Sequence, residues 1–171
     1  MSRPTNKDFA PFYQPYIDKV QGDNIHEILG QYSRTSLAFW QAIPEDKGDY
    51  AYAPGKWTIK QVLNHICDAE RIFAYRALRI ARGDATPLPG FDENEYMEAA
   101  NFESQPFEDL LEQYRLVRES SIALYRSMTE EVASRMGNAN GFAVSARAYA
   151  WAIAGHEAHH LSIIRERYLG N

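Results

Sequence analysis

Apolar side chains recur every three to four positions along four long stretches of the chain, which is the spacing that lines one face of a helix. The first stretch starts at Asn24, where Asn24 and Glu27 resemble a capping box. Ile25, Ile28, Leu29, Tyr32, Ser36, Phe39 and Trp40 then form a stripe that Pro44 ends. A loop, "PEDKGDYAYAPGK", follows. Thr58 and Gln61 stand in the S/T-x-x-E/Q relation of a capping box. Behind them Val62, Ile66, Ala69, Phe73, Ala77 and Ile80 carry a second helix to Gly83, a length of about 36 Å. Residues 83–104 read as loop, with one short helix from near Asp92. A third long helix starts by Gln105-Pro106 and is lined by Leu110, Leu111, Tyr114, Val117, Ile122 and Tyr125. "TEEVASR" predicts another short helix and "GNANG" a turn. Ser145 then caps a last helix running to about Leu169.

No stretch alternates long enough to predict a strand, and nothing repeats. The expected fold class is therefore all-α, a four-helix bundle with short accessory helices in its loops. The roughly 22-residue connection between the second and third long helices is long enough to cross the bundle. Residues 1–22 hold Pro4, Pro11, Pro15 and Gly22 and predict an irregular arm. Its aromatics (Phe9, Phe12, Tyr13 and Tyr16) should pack it onto the bundle.

A chain of 171 residues fits one domain, 1–171. The formal charge of −5 argues against a nucleic-acid partner, which calls for a basic surface. No window reaches the roughly 20 apolar residues that cross a bilayer, and the first residues lack the apolar run of a secretory signal. The single cysteine, Cys67, rules out an internal disulfide and any C-x-x-C motif. A cytoplasmic protein without a membrane partner is expected.

The chemistry gathers near the C-terminus. "GHEAHHLSIIRERY" contains His156-Glu157-x-x-His160, the H-E-x-x-H pattern of zinc proteases. His156 and His160, four residues apart, share a helix face with Tyr149, Ala152, Ile153, Ile163, Ile164 and Arg167. That face is mostly apolar, so the pair should look inward. His65 lies in the inward stripe of the second helix and can meet them. Three buried neutral imidazoles without a partner are costly, which favours a metal bound by His65, His156 and His160 with positions left open for water or substrate.

A protease fits poorly. Only eleven residues follow His160, Glu166 is the sole acidic candidate among them, and the sheet that supports such a helix is missing. A carboxylate-bridged di-iron site fails because no other histidine has a glutamate three residues before it.

With His65 in "KWTIKQVLNHICDAERIFAYRALRIARGD" and the pair in "WAIAGHEAHHLSIIRERY", the chain resembles the DinB-like superfamily over nearly its whole length. "TPLPGFDENEY" resembles one branch of it. The resemblance implies up-down-down-up topology, a divalent metal on the histidine triad (zinc or nickel, one per chain) and a homodimer. Members include S-transferases that use a low-molecular-weight thiol, isomerases, and proteins assigned only as metal-dependent hydrolases.

The expected function is a metal-dependent enzyme that activates a thiol or water against a small-molecule substrate. The alternative is a non-catalytic dimeric binding module with a vestigial site. Glu157, about 100° off the metal face, is a candidate catalytic base or partner of the ligands, its competing role a surface carboxylate. His159 is expected at the surface or beside the ligands, and His26 in an ordinary first-turn position. Asp68 is a candidate to orient an imidazole. Glu70 is expected to pair with Arg71 or Arg147. Gly155 should permit a close helix approach, and Trp57, Trp151 and Tyr149 are candidates to wall the pocket.

Overall fold

The computed structural model describes residues 1–100 and 104–170; the last positions of the expected 83–104 loop, 101–103, lie outside them. Four long helices form the body: α2 (Ile25–Gln41), α3 (Ile59–Ala81), α5 (Phe107–Arg126) and α7 (Ala146–Ile163). Short helices α1 (Gln14–Ile17), α4 (Glu93–Ala99) and α6 (Glu130–Ala133) sit in the connections.

The helix starts follow local chemistry. Thr58 accepts from the Gln61 N–H while Gln61 returns a bond to the Thr58 N–H, a complete capping box. Ser145 accepts from the Ala148 N–H, and Asp92 takes the N–H groups of Asn94 and Glu95. Asn24 caps differently from expectation. It accepts from the His26 N–H, and Glu27 holds its side-chain amide rather than its backbone.

Helices α3 and α7 are antiparallel: His65 meets His156 low on α3, and Phe73 meets Tyr149 higher up. The start of α5 packs with the start of α3, and Tyr125 near its end with Phe73, Ala77 and Ile80, so these two run parallel. Trp40, at the end of α2, joins Ile59 and Leu63 at the start of α3. The order is therefore up-down-down-up, and the connection between α3 and α5 travels the length of the bundle, carrying α4.

A two-stranded antiparallel sheet was not expected. β1 (Met136–Ala139) pairs with β2 (Phe142–Ser145), Ala139 facing Phe142. Asn140 and Gly141 both have positive φ, 53° and 82°, the backbone of a two-residue hairpin turn. Leu88 is stitched to this hairpin through Asn138 and Asn140, so the 83–91 segment is drawn alongside it.

The core divides into two apolar clusters. One gathers the N-terminal arm, the hairpin, the upper part of α3 and the first half of α7; the other gathers Trp40, the first turns of α3 and α5, Leu161 and Ile164. Between them lies a buried polar layer. Arg118 on α5, wholly buried, donates to both oxygens of Glu70 on α3 and to Glu157 on α7. Tyr114 donates to the other oxygen of Glu157. Glu70 therefore pairs with Arg118 rather than with the arginines expected for it: Arg71 binds Asp68, and Arg147 binds Asp8 and Glu130.

A candidate metal centre between two antiparallel helices

His65 comes from the second turn of α3, and His156 and His160 from the last half of α7. Their Nε2 atoms converge, 3.0 Å from His65 to His156 and 3.1 Å from His156 to His160, with all three within 4.8 Å of one another. Nitrogens about 2.0–2.1 Å from one ion and roughly 90–110° apart would be about 2.9–3.4 Å from each other, so the spacing fits a shared divalent ion. A shared proton fits less well, because His156 Nε2 faces two nitrogens and one N–H serves only one of them. Among the described residues no carboxylate joins the cluster.

Burial fixes the charge of the donors. It depresses the pKa of His65 to about 4 and of His160 to about 3. His156 is lowered further in the same direction, by burial and then by the neighbouring imidazoles. At neutral pH all three rings are uncharged, the form that binds a metal.

Aromatic groups hold the rings. The Trp57 ring packs against His65 with centroids 4.9 Å apart and planes tilted by 49°, and its own carbonyl accepts from Tyr168 at 2.6 Å, in the π-helical last turns (Ile164–Leu169) that continue α7. Tyr16 meets His156 and His159 edge-on at 5.4 and 5.5 Å. This contact depends on Gly155. A Cβ there would lie 1.9 Å from the Tyr16 carbonyl oxygen, so the arm packs directly onto α7 backbone.

The triad opens onto a cavity of about 370 Å³, lined among others by Tyr13, Tyr16, Trp57, Phe73, Arg76, Phe91, Asn140 and His159. That volume is in the range of small-molecule sites. The hairpin supplies Asn140, so the element missing from the sequence reading forms part of the wall. Of the three aromatics expected there, only Trp57 lines it; Tyr149 and Trp151 are fully buried in the core.

Glu157 is not among the cavity-lining residues and is not a surface carboxylate. Burial raises its pKa against the opposing pull of Arg118, and its two oxygens are engaged by Tyr114 and Arg118. Its position follows from α7, in which all residues from Ala148 to Glu157 are buried. A helix enclosed on every side has no outer face for a residue 100° from the ligands to occupy. Asp68 bonds Asn64 and Arg71 rather than a ligand imidazole. His159 is half-buried at the cavity wall, and burial lowers its pKa.

The sequence profile of the DinB superfamily matches residues 29–164, which includes all three histidines. The chain belongs to the DinB superfamily. A curated relative of this DinB protein, from Oceanobacillus iheyensis, carries the name "putative metal-dependent hydrolase" and is 27% identical over 154 residues, spanning 86% of this chain and 87% of its own. YfiT from Bacillus subtilis is described as "a probable metal-dependent hydrolase with an unusual four-helix bundle topology". It shares the fold at a TM-score of 0.69 and 17% identity, covering 99% of this chain and 94% of its own. A mycothiol-dependent maleylpyruvate isomerase superposes with a TM-score of 0.63 at 15% identity over 85% of this chain and 61% of that larger protein.

Proposed function

We propose that this DinB protein is a divalent-metal enzyme that activates a thiol or a water molecule for attack on a small-molecule substrate, in the manner of an S-transferase or a hydrolase. The observation that carries the reading is the convergence of three neutral imidazole nitrogens on one wall of a substrate-sized cavity. His65, His156 and His160 would hold the ion, and an all-nitrogen donor set suits zinc or nickel better than magnesium or calcium. Such an ion supplies Lewis acidity, which lowers the pKa of a thiol or water beside it.

The chain's own residues do the rest. Trp57 and Tyr16 fix the ligand rings, and Phe73 and Phe91 offer apolar surface to the substrate. His159 and Glu93 line the same cavity and can accept the proton that the nucleophile gives up. Glu157 acts at a distance, as part of a buried layer with two carboxylates and one guanidinium, an arrangement that favours positive charge nearby. The family resemblance extends the reading to a low-molecular-weight thiol as co-substrate and to a homodimer, which sedimentation would test.

The cavity beside the triad favours this reading over a binding module with a vestigial site. Metal analysis of the purified protein should find one divalent ion per chain, lost in His65→Ala, His156→Ala and His160→Ala. If EDTA-treated protein takes up zinc or nickel no better than the triple variant, the reading is wrong. Given a bound ion, turnover of electrophiles with a thiol separates transfer from hydrolysis.

A further inference from the structure

Helix α3 contributes four cavity-lining side chains: His65, Ala69, Phe73 and Arg76. Their spacing places them on one helix face, and the eleven steps from His65 to Arg76 rise about 16 Å. The histidine triad stands at one end of this strip and Arg76 at the other.

Arg76 is 4% exposed. Its Nη2 donates to the Pro89 carbonyl, and its guanidinium lies 5.7 Å from the centre of the Phe91 ring. Among the described residues no carboxylate lies within ion-pair distance of it, whereas the other buried arginine, Arg118, is paired with two. The Pro89 carbonyl takes one N–H of five, and neither it nor the nearby Tyr13 and Tyr149 hydroxyls supply a charge to balance the guanidinium. A buried guanidinium without a counter-ion is costly, and here its charge faces a cavity. Neutral donors share the corner. The Tyr13 and Tyr149 hydroxyls are close to Arg76, and Tyr13 lines the cavity beside it. Asn140 lines the cavity as well. The acidic residue on the same wall, Glu93, is exposed and unpaired with Arg76.

We propose that Arg76 is the specificity-determining residue of the cavity and binds an anionic group, a carboxylate or a phosphate monoester, on the small molecule that enters it. The planar fork matches both anions. An arginine side chain on a helix leans back toward the helix N-terminus, so the anion lies on the order of 10 Å from the triad. The ligand is thus an elongated anion whose apolar middle covers Ala69 and Phe73. The assignment of the far end as the reacting end rests on the metal-enzyme reading; anion binding at Arg76 does not.

Calorimetric titration with 4-phenylbutyrate, 4-phenylbutyl phosphate and the neutral 4-phenylbutyramide tests it, on zinc-loaded protein, on EDTA-treated protein and on His156→Ala. At least one anion should bind at least about tenfold tighter than the amide. Arg76→Gln should bring the preference to within about twofold, and Arg76→Lys should keep part of it. If Arg76→Gln melts below the assay temperature, Arg76→Lys and Tyr13→Phe, whose hydroxyl lies beside Arg76 on the cavity wall, carry the comparison, and both must narrow the preference. An amide that binds as well as the anions, a preference that survives these substitutions, or no saturable binding of any probe up to about 10 mM overturns the proposal. A preference that persists in EDTA-treated protein unable to bind zinc would sink the metal reading and leave Arg76 as the anion site. Zinc binding without any preference would do the reverse.

Discussion

The same substitution, glycine to alanine, should have opposite signs at two helix positions of this protein. In a free helix the change stabilises by about 1 kcal/mol, because glycine loses more backbone entropy on folding. At Gly30, in α2, an added Cβ meets nothing within 4 Å, so Gly30→Ala should realise most of that gain. At Gly155 the Cβ would sit 1.9 Å from the Tyr16 oxygen, 2.4 Å from its carbonyl carbon and 3.0 Å from its Cα. Ordinary contact begins at about 3.4–4 Å, so the arm must retreat by roughly 1.5 Å.

The obstruction is backbone, and the arm is tethered. Arg3 donates to the carbonyls of Ile17 and Val20, and Ile17 is buried. Overpacking of this kind costs about 1–3 kcal/mol and occasionally more, so Gly155→Ala should lose about 2 kcal/mol net of the helix gain. For a chain of this length that is a fall in Tm of about 4–8 °C. Retreat of Tyr16 also frees the His156 ring, so zinc affinity should weaken. Urea and thermal melts of both variants, with and without zinc, check the pair. Stabilisation by Gly155→Ala, or equal shifts in the two variants, would refute the close approach.

The buried charges predict strong coupling. Arg118→Met leaves Glu70 and Glu157 unpaired and should cost about 3–5 kcal/mol in urea melts, much of it recovered when both glutamates are also changed to glutamine. Acid should destabilise the metal-free protein through the triad. Each histidine pKa is lowered on folding, so the unfolded chain binds more protons, and stability falls as pH drops from about 6.5 toward the native values near 4 and 3. His65 alone accounts for about 3 kcal/mol of that loss, and His65→Ala should flatten the stability-pH curve between pH 6 and 4. Gly141→Val strains the hairpin turn, where φ is 82°. It should lower Tm and loosen the cavity wall at Asn140, read as faster hydrogen exchange at the amides of Leu88 and Asn140.

The long helices were legible because each shows its period and start signal in local sequence: Thr58 with Gln61, and Ser145 three residues before the amide it caps. His65 and the His156/His160 pair were legible as inward positions for the same reason. The hairpin was not, since its four-residue strands are too short to show alternation. Its Asn140-Gly141 pair is nonetheless the dipeptide that a two-residue hairpin turn favours, a signal carried by the turn rather than by the strands. The partner of Glu70 was missed because Arg118 lies 48 residues away in sequence, and only packing brings them together. Glu157 was misplaced for a related reason. Helical periodicity gives angles around an axis, but it does not say how many sides of that axis are covered.

The polar layer has a further consequence. Apolar clusters above and below it would tolerate one helix sliding along another, since one aliphatic contact can replace the next. Hydrogen-bonded charges do not. A one-turn slip of α7 would carry Glu157 about 5.4 Å from Arg118 and Tyr114, leaving a carboxylate buried alone. The same slip would carry His156 and His160 past His65. The Glu70–Arg118–Glu157 chain therefore works as an index mark for the bundle, setting the height at which imidazoles from two helices meet.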